Sequence, residues 1–200
     1  MRVEGGMPVD FGGNWERDYS LGDDVDAVLR EVYRQLARAN QDQRYAGIPA
    51  AVAPQPKEMS SILPLARLAE LITRPDVLYI TQDEHRIRVD RKDDYSLECS
   101  FFDGVARATD SDYGLEVCGW DGKELVSNLV LPDGLEITYR FAISDDAKAL
   151  RVVTTLESPT SRLPFTLRRF YRKFEYAPGD FNCIETLSMK RVCSTTEIEP

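Results

Sequence analysis

Basic and aromatic residues are interleaved between positions 165 and 175, and this pattern could bind an acidic ligand. Its members are Arg168, Arg169, Phe170, Tyr171, Arg172, Lys173 and Phe174. Alternation along a β-strand would place Arg168, Phe170 and Arg172 on one face. If that face pointed into a barrel, its guanidinium groups could hold the acidic head of an amphipathic molecule such as a fatty acid. If it pointed outward, the arginines would pair with carboxylates of neighbouring strands, such as Glu136 or Glu157.

Residues suited to catalysis or metal binding are sparse. His85 is the sole histidine and falls in a predicted turn, so a Ser-His-Asp triad would have to use it, and a histidine-rich metal site is excluded. Paired carboxylates fall in predicted loops without calcium-loop spacing; they are Asp83/Glu84, Asp93/Asp94, Asp110/Asp112 and Asp145/Asp146. We predict no catalytic residue, no metal site and no cofactor, although an enzyme using tyrosines and carboxylates as acid–base groups stays an alternative.

The four cysteines are Cys99, Cys118, Cys183 and Cys193, an even number with no Cys-x-x-Cys spacing. We expect bridges between Cys99 and Cys118 on consecutive predicted strands, and between Cys183 and Cys193 around a short loop. Such bridges are typical of an oxidising compartment, which favours a periplasmic or other extracytoplasmic location. Four free thiols are the alternative, and because residues 1–15 do not read as a signal peptide, a cytoplasmic location stays open.

Residues 77–176 read as an up-and-down antiparallel meander. Asp-Gly pairs, which favour tight hairpins, recur at Asp103, Asp121 and Asp133. Between the turns lie β-branched and aromatic runs, and residues 135–141 alternate strictly between apolar and polar. The predicted strands are 77–82, 85–91, 95–101, 113–120, 124–131, 135–142, 149–156 and 165–175. The fold class is therefore mainly β, a barrel of about eight strands with two N-terminal α-helices.

The helices precede the meander. Asp23 or Asp24 can cap a helix that continues to about Ala39, and a second helix spans about 60–73 with Pro64 in its first turn. Residues 47–56 are rich in proline and alanine and form a predicted linker. The chain then divides into an N-terminal extension, 1–76, packed on the barrel, the barrel, 77–176, and a Cys-containing tail, 177–200.

Composition excludes some partner classes. The formal net charge is −9, which argues against nucleic acid and anionic membrane surfaces as partners. No apolar run approaches the roughly 20 residues of a membrane-spanning helix. We therefore expect neither nucleic-acid binding nor a membrane span.

The sequence Gly13-Asn14-Trp15, the meander with its Trp120-Asp121-Gly122 hairpin and the arginine-rich final strand together resemble lipocalin-like (calycin) barrels. The pattern is also similar to that of bacterial envelope proteins with a lipocalin-like domain. The resemblance implies that Trp15 closes one end of the barrel against Arg168 or Arg172. In lipocalins the Gly-x-Trp motif leads directly into the first strand, whereas here two helices and a linker follow it.

The leading expectation is a non-catalytic lipocalin-like protein of the cell envelope that binds an apolar or amphipathic small molecule. The predicted lining consists of Leu97, Val117, Leu129, Ile137, Tyr139, Phe141, Val152, Arg168, Phe170 and Arg172. An accessory subunit that binds a protein partner through the N-terminal helices or the C-terminal tail is the main alternative, and an enzyme is the third. A cavity in the barrel would favour binding or catalysis, whereas a filled barrel with apolar surface on the helices would favour the accessory role.

Overall fold

The computed structural model describes residues 7–45, 56–91, 95–102, 105–106, 108–111, 114–175, 182–184 and 192–194. For residues 39–45, 56–60, 102, 105, 109–111, 182–184 and 192–194 it describes the backbone alone. The elements in chain order are β1 (Gly13–Arg17), α1 (Val25–Tyr45), α2 (Pro56–Ile72), β2 (Val77–Gln82), β3 (Arg86–Arg91), β4 (Leu97–Phe102), β5 (Val105–Ala106), β6 (Thr109–Ser111), β7 (Gly114–Asp121), β8 (Glu124–Val130), β9 (Glu136–Ile143), β10 (Ala149–Glu157), β11 (Phe165–Phe174), β12 (Asn182–Ile184) and β13 (Val192–Ser194).

Nine of the described strands, β1–β4 and β7–β11, form a nearly closed antiparallel barrel. Neighbours in the sheet follow the order β5-β4-β3-β2-β1-β11-β10-β9-β8-β7-β6. The predicted antiparallel barrel is confirmed, but the strand count is nine rather than eight because β1 pairs with both β2 and β11. The predicted barrel boundaries, 77–176, leave this strand out.

The two outermost barrel strands, β4 and β7, run in the same direction. Eight successive antiparallel pairings separate them around the sheet, and an even number of reversals restores the direction. In the described chain they share no backbone pairing, and this gap is called the seam below. A disulfide between Cys99 on β4 and Cys118 on β7 crosses the seam, with the two Cα atoms 5.8 Å apart.

The tight turns follow the sequence pattern. Gly122 in the β7–β8 turn has φ of +62° and Gly134 in the β8–β9 turn has φ of +80°, a region that only glycine enters without strain.

Asp24 caps α1, because its Oδ1 accepts the Ala27 N–H at 2.7 Å. The described part of the chain contains no helix that is both long and apolar enough to cross a membrane.

Both helices extend beyond the predicted limits. The first continues to Tyr45 rather than Ala39, and the second begins at Pro56 rather than near residue 60. Pro64 therefore lies inside α2 and not in its first turn, which Pro56 occupies instead, as its missing N–H allows. Apart from Pro56, the predicted linker lies outside the described residues.

The helical pair packs on β10 and β11. Its buried face carries seven apolar side chains that join the barrel core: Val32, Leu36, Ile62, Leu65, Ala66, Ala69 and Ile72. The short hairpin β12–β13 is a separate sheet in which Cys183 lies opposite Cys193. The predicted Cys183–Cys193 bridge lies outside the described side chains.

Candidate functional site

Within the described residues, side chains fill the barrel interior. These inward residues belong to one continuous core, and a cavity among them measures about 20 Å³. Its walls come from β2, β3, β4, β9, β10, β11 and the C-terminal end of α2. A space of this size holds about one water molecule, whereas pockets for small molecules measure roughly 300–1,000 Å³.

Six of the eight apolar or aromatic residues predicted to line the interior lie there. They are Leu97, Leu129, Ile137, Tyr139, Phe141 and Val152, and all six are buried. The prediction for Val117 is wrong, because its side chain is 44 % exposed on the outer face of β7. Cys118 and Trp120 face inward on that strand. Because side chains alternate along a strand, the odd-numbered positions, which include Val117, face outward.

On the final strand, the side chains that face inward are not the ones that the ligand-binding hypothesis required. Its inward residues are Phe165, Leu167, Arg169 and Tyr171. Arg168 and Arg172 face outward, so their predicted inward orientation is wrong, and Phe170 is only half-buried beside them. Arg168 Nη2 lies 2.9 Å from Asp23 Oδ1, and Arg172 Nε lies 2.8 Å from Asp18 Oδ2. The carboxylates come from the segment before α1, not from Glu136 or Glu157.

Trp15 is fully buried, at 0 % exposure, and its backbone lies between Leu78 of β2 and Lys173 of β11. Its Nε1–H donates to the Phe11 carbonyl at 2.9 Å. The cation beside the indole is Lys173, with Nζ 5.5 Å from the ring centroid, rather than Arg168 or Arg172. Phe11 stacks on Trp120 at a centroid distance of 5.8 Å, so the segment before β1 contributes to the barrel core.

Two inward arginines meet the C-terminal end of α2. Arg169 is 5 % exposed; its Nε donates to Thr73 Oγ1 at 3.2 Å and its Nη1 to the Asp23 carbonyl at 2.6 Å. Arg91 Nη1 donates to the Ile72 carbonyl at 3.4 Å. Cations at a helix C-terminus interact favourably with its partial negative charge. Burial, and then the neighbouring Arg17, lowers the pKa of Arg169.

Tyrosines complete this cluster. Tyr139 Oη lies 3.0 Å from Tyr95 Oη and accepts from Arg91 Nη1 at 3.3 Å, and Tyr171 Oη donates to the Pro75 carbonyl at 3.2 Å. Burial raises the pKa of Tyr139 and raises that of Tyr171 to about 12. Both phenols therefore stay protonated at neutral pH and serve as hydrogen-bonding groups rather than as bases. The cluster attaches α2 to the barrel.

Sequence reasoning missed Arg91 and Arg169 as interior residues. Their strands do carry the signal, since Ile87 and Val89 share the phase of Arg91, and Leu167 and Tyr171 share that of Arg169. An arginine among these apolar positions suggests that the face points outward, because a buried arginine needs hydrogen-bond partners that the strand itself does not provide. Those partners belong to α2 and to the segment before α1.

Glu116 is the half-buried carboxylate of the seam. It lies on β7 in phase with Cys118, and its Oε1 accepts the Ser127 hydroxyl at 3.0 Å. It also accepts the backbone N–H of Glu98 on β4, the strand across the seam. Burial raises the pKa of Glu116. The Glu116 carboxylate thus accepts from a backbone N–H of β4 for which a paired neighbouring strand would normally supply the acceptor.

The remaining candidates are surface groups. His85 is exposed in the β2–β3 turn, and its backbone N–H donates to Asp83 Oδ1 at 2.8 Å. Asp145 and Asp146 are exposed in the β9–β10 turn. Of the other predicted pairs, Asp93, Asp94 and Asp112 lie outside the described residues. Within the described residues, no group of three or more His, Cys, Asp or Glu side chains could hold a metal ion.

The architecture is that of a nearly closed antiparallel β-barrel with a helical pair packed on one side. No family model matches the chain, and no curated protein sequence matches it.

Proposed function

We propose that the protein is a non-catalytic accessory protein that presents its helical pair to a protein partner, with the barrel as a rigid support. The filled interior carries this proposal. A cavity of about 20 Å³ is at least ten times smaller than a typical small-molecule pocket. The barrel therefore serves better as a scaffold than as a container.

The exposed apolar residues favour the helical side as the contact surface. Of the seven large apolar side chains that are exposed in the described part, four belong to α2 or to the segment leading into α1. They are Tyr19, Leu21, Leu63 and Leu71. Exposed apolar residues concentrated on one side of a protein mark interaction surfaces more often than scattered ones do.

The fold and the disulfide support a location in the cell envelope for this accessory role. A nearly closed antiparallel barrel with a buried Gly-x-Trp tryptophan is compatible with kinship to lipocalin-like envelope proteins. The Cys99–Cys118 bridge supports an oxidising compartment such as the periplasm.

A small-molecule carrier is the second candidate, and one observation favours it. Polar groups face the cavity, and Thr154 Oγ1 is buried there without a hydrogen-bond partner in the described chain. A ligand larger than water would have to displace the end of α2 from Arg91 and Arg169. This candidate therefore requires the cluster around α2 to open on binding.

One experiment separates the two candidates. The full-length oxidised protein is titrated with a fluorescent fatty-acid analogue, and the same preparation is used to recover crosslinked partners from its native host. We expect no saturable binding of the analogue up to about 100 μM, and a partner whose recovery falls at least tenfold with Leu71→Glu. Leu115→Glu is the matched control, because Leu115 is similarly exposed but lies on β7. Micromolar binding of the analogue, or equal recovery with both variants, would overturn the accessory role.

A further inference from the structure

The exposed surface around the C-terminal end of α2 combines cationic and apolar side chains. We define this basic–apolar strip by five residues, Arg17, Tyr19, Arg67, Leu71 and Arg74. Arg67 and Leu71 lie four residues apart on one side of α2, and Arg74 follows two residues beyond the end of the helix, where its backbone N–H donates to the Leu71 carbonyl at 3.3 Å. Leu71 is 62 % exposed and Tyr19 69 % exposed.

Contacts among Arg17, Tyr19 and Arg74 hold this part of the strip together. Arg17 Nη1 donates to the Arg74 carbonyl at 3.5 Å, and its guanidinium carbon lies 4.7 Å from the centre of the Tyr19 ring. The Tyr19 hydroxyl donates to the Asp76 carboxylate just beyond α2, which raises the pKa of Tyr19. The ring and the guanidinium are thereby fixed in position before any partner arrives.

The cations of the strip differ from those on the outer face of the barrel. There, six arginines form ion pairs with carboxylates: Arg86, Arg88, Arg140, Arg151, Arg168 and Arg172. In the strip, no carboxylate of the described chain forms an ion pair with Arg17, Arg67 or Arg74, although Glu70 lies on the same helix. Among the described residues, these three guanidinium groups therefore keep donors that no carboxylate occupies, in a protein whose net charge is −9.

We infer that the strip binds an acidic protein segment that carries at least one large apolar side chain. The inference rests on the proposed accessory function and names the chemical class of its partner. Carboxylates of the segment contact Arg17, Arg67 and Arg74, and its apolar side chain packs between Leu71 and Tyr19. Three cations are fewer than the four to eight that recruit a protein to an anionic membrane, and the overall negative charge opposes such a surface.

The test uses the full-length oxidised protein and three defined materials. These are a fluorescein-labelled peptide alternating glutamate and leucine, its lysine-for-glutamate counterpart, and vesicles with about 30 % anionic lipid. We expect the acidic peptide alone to bind, with an affinity that falls as salt is raised. The double variant Arg67→Gln/Arg74→Gln should weaken binding at least tenfold, because both side chains are exposed and their loss leaves the core intact.

The matched control is Arg30→Gln/Arg38→Gln, which removes two exposed cations from α1 and should leave peptide affinity within twofold. Equal loss in both variants, or failure of the acidic peptide to bind, would overturn the inference. Vesicle binding that depends on Arg67 and Arg74 would assign the strip to a membrane instead. A concentration-dependent dimer that the double variant abolishes would assign it to a second copy. If Leu71→Glu blocks recovery of the native partner while Arg67→Gln/Arg74→Gln does not, the accessory function stands and the acidic class fails.

Discussion

Cys99 and Cys118 join two barrel strands that share no backbone pairing in the described chain and run in the same direction. A meander with an odd number of strands cannot close with antiparallel neighbours throughout, so one junction must be parallel. Here that junction lacks a ladder of hydrogen bonds, and the disulfide supplies a covalent link in its place. The short strands β5 and β6 pair with only part of β4 and β7, at residues 101–102 and 114–116. A strand edge without a partner is the kind of surface that adds foreign strands.

Loss of this bridge should destabilise the barrel locally. Cys99→Ala/Cys118→Ala is expected to lower the free energy of unfolding by about 3 kcal/mol, the value for a closed loop of this size. Hydrogen exchange should accelerate in β4 and β7 while β9 and β10 stay protected. A Cys183→Ser/Cys193→Ser variant keeps the seam bridge and serves as the control. Uniform acceleration in all strands would contradict a local role.

Trp15 should be among the most sensitive core positions. Trp15→Ala is expected to cost about 3–5 kcal/mol in urea unfolding, because it empties a fully buried aromatic site. Lys173→Met should cost no more than about 1 kcal/mol, since it removes the cation over the ring and keeps most of the packing. A similar loss of unfolding free energy in both variants would show that the Lys173 cation, not the buried indole, stabilises this part of the barrel.

Glu116 should make stability depend on pH in an unusual direction. Burial raises its pKa in the folded state, so the folded protein binds this proton more tightly than the unfolded chain. Its contribution is therefore most favourable below the ordinary glutamate pKa and declines as pH rises through the raised value. Glu116→Gln should remove this decline, so that the melting temperature of the variant gains on that of the wild type between about pH 4 and pH 7.

A melting-temperature difference between Glu116→Gln and wild type that stays constant across this range would contradict a raised pKa. Glu98→Gln is a suitable control, because Glu98 lies across the seam but its side chain pairs with Arg86 and Arg88 on the outer face. That substitution should not reproduce the pH effect of Glu116→Gln.

The inward and outward arginines of β11 should differ in their effect on stability. Arg169→Met is expected to cost about 1–3 kcal/mol, because it leaves Thr73 Oγ1 and the Asp23 carbonyl without their buried donor. Arg172→Met removes an exposed ion pair with Asp18 and should cost no more than about 1 kcal/mol. Urea unfolding of both variants, with hydrogen exchange at residues 69–73, checks the difference. Equal costs would show that Arg169 does not anchor α2.

Regular features of the sequence predicted most of the barrel. Asp-Gly turns and period-two alternation gave eight strands within a few residues of their observed limits, because hairpin registers are set by contacts close in sequence. The strand β1 was missed, since it is only five residues long and begins with Gly13 and Asn14, two residue types that are depleted in strands. Its pairing with β2 and β11 depends on residues distant in the chain, which a local pattern cannot report.

The candidate site was harder to predict for a related reason. The final strand carries a basic residue on both of its faces, so its phase depends on where partners for each arginine lie. Asp18 and Asp23, far away in sequence, pair with Arg172 and Arg168 outside, and the end of α2 binds Arg169 inside. Whether the barrel was hollow also depended on the packing of α2 across its end.

The position of β1 has a consequence for synthesis of the protein. Trp15 on β1 lies opposite Lys173 on β11, so the first strand of the barrel to be synthesised pairs with the last strand of the barrel. The hairpins from β7 to β11 can form as they emerge, because each joins neighbours in the chain, whereas β1 gains its second partner only after residue 174 has been made. Until then the apolar face of Trp15 and the free edge of β2 have no barrel to join, and a chaperone that shields the N-terminal segment would act during this interval.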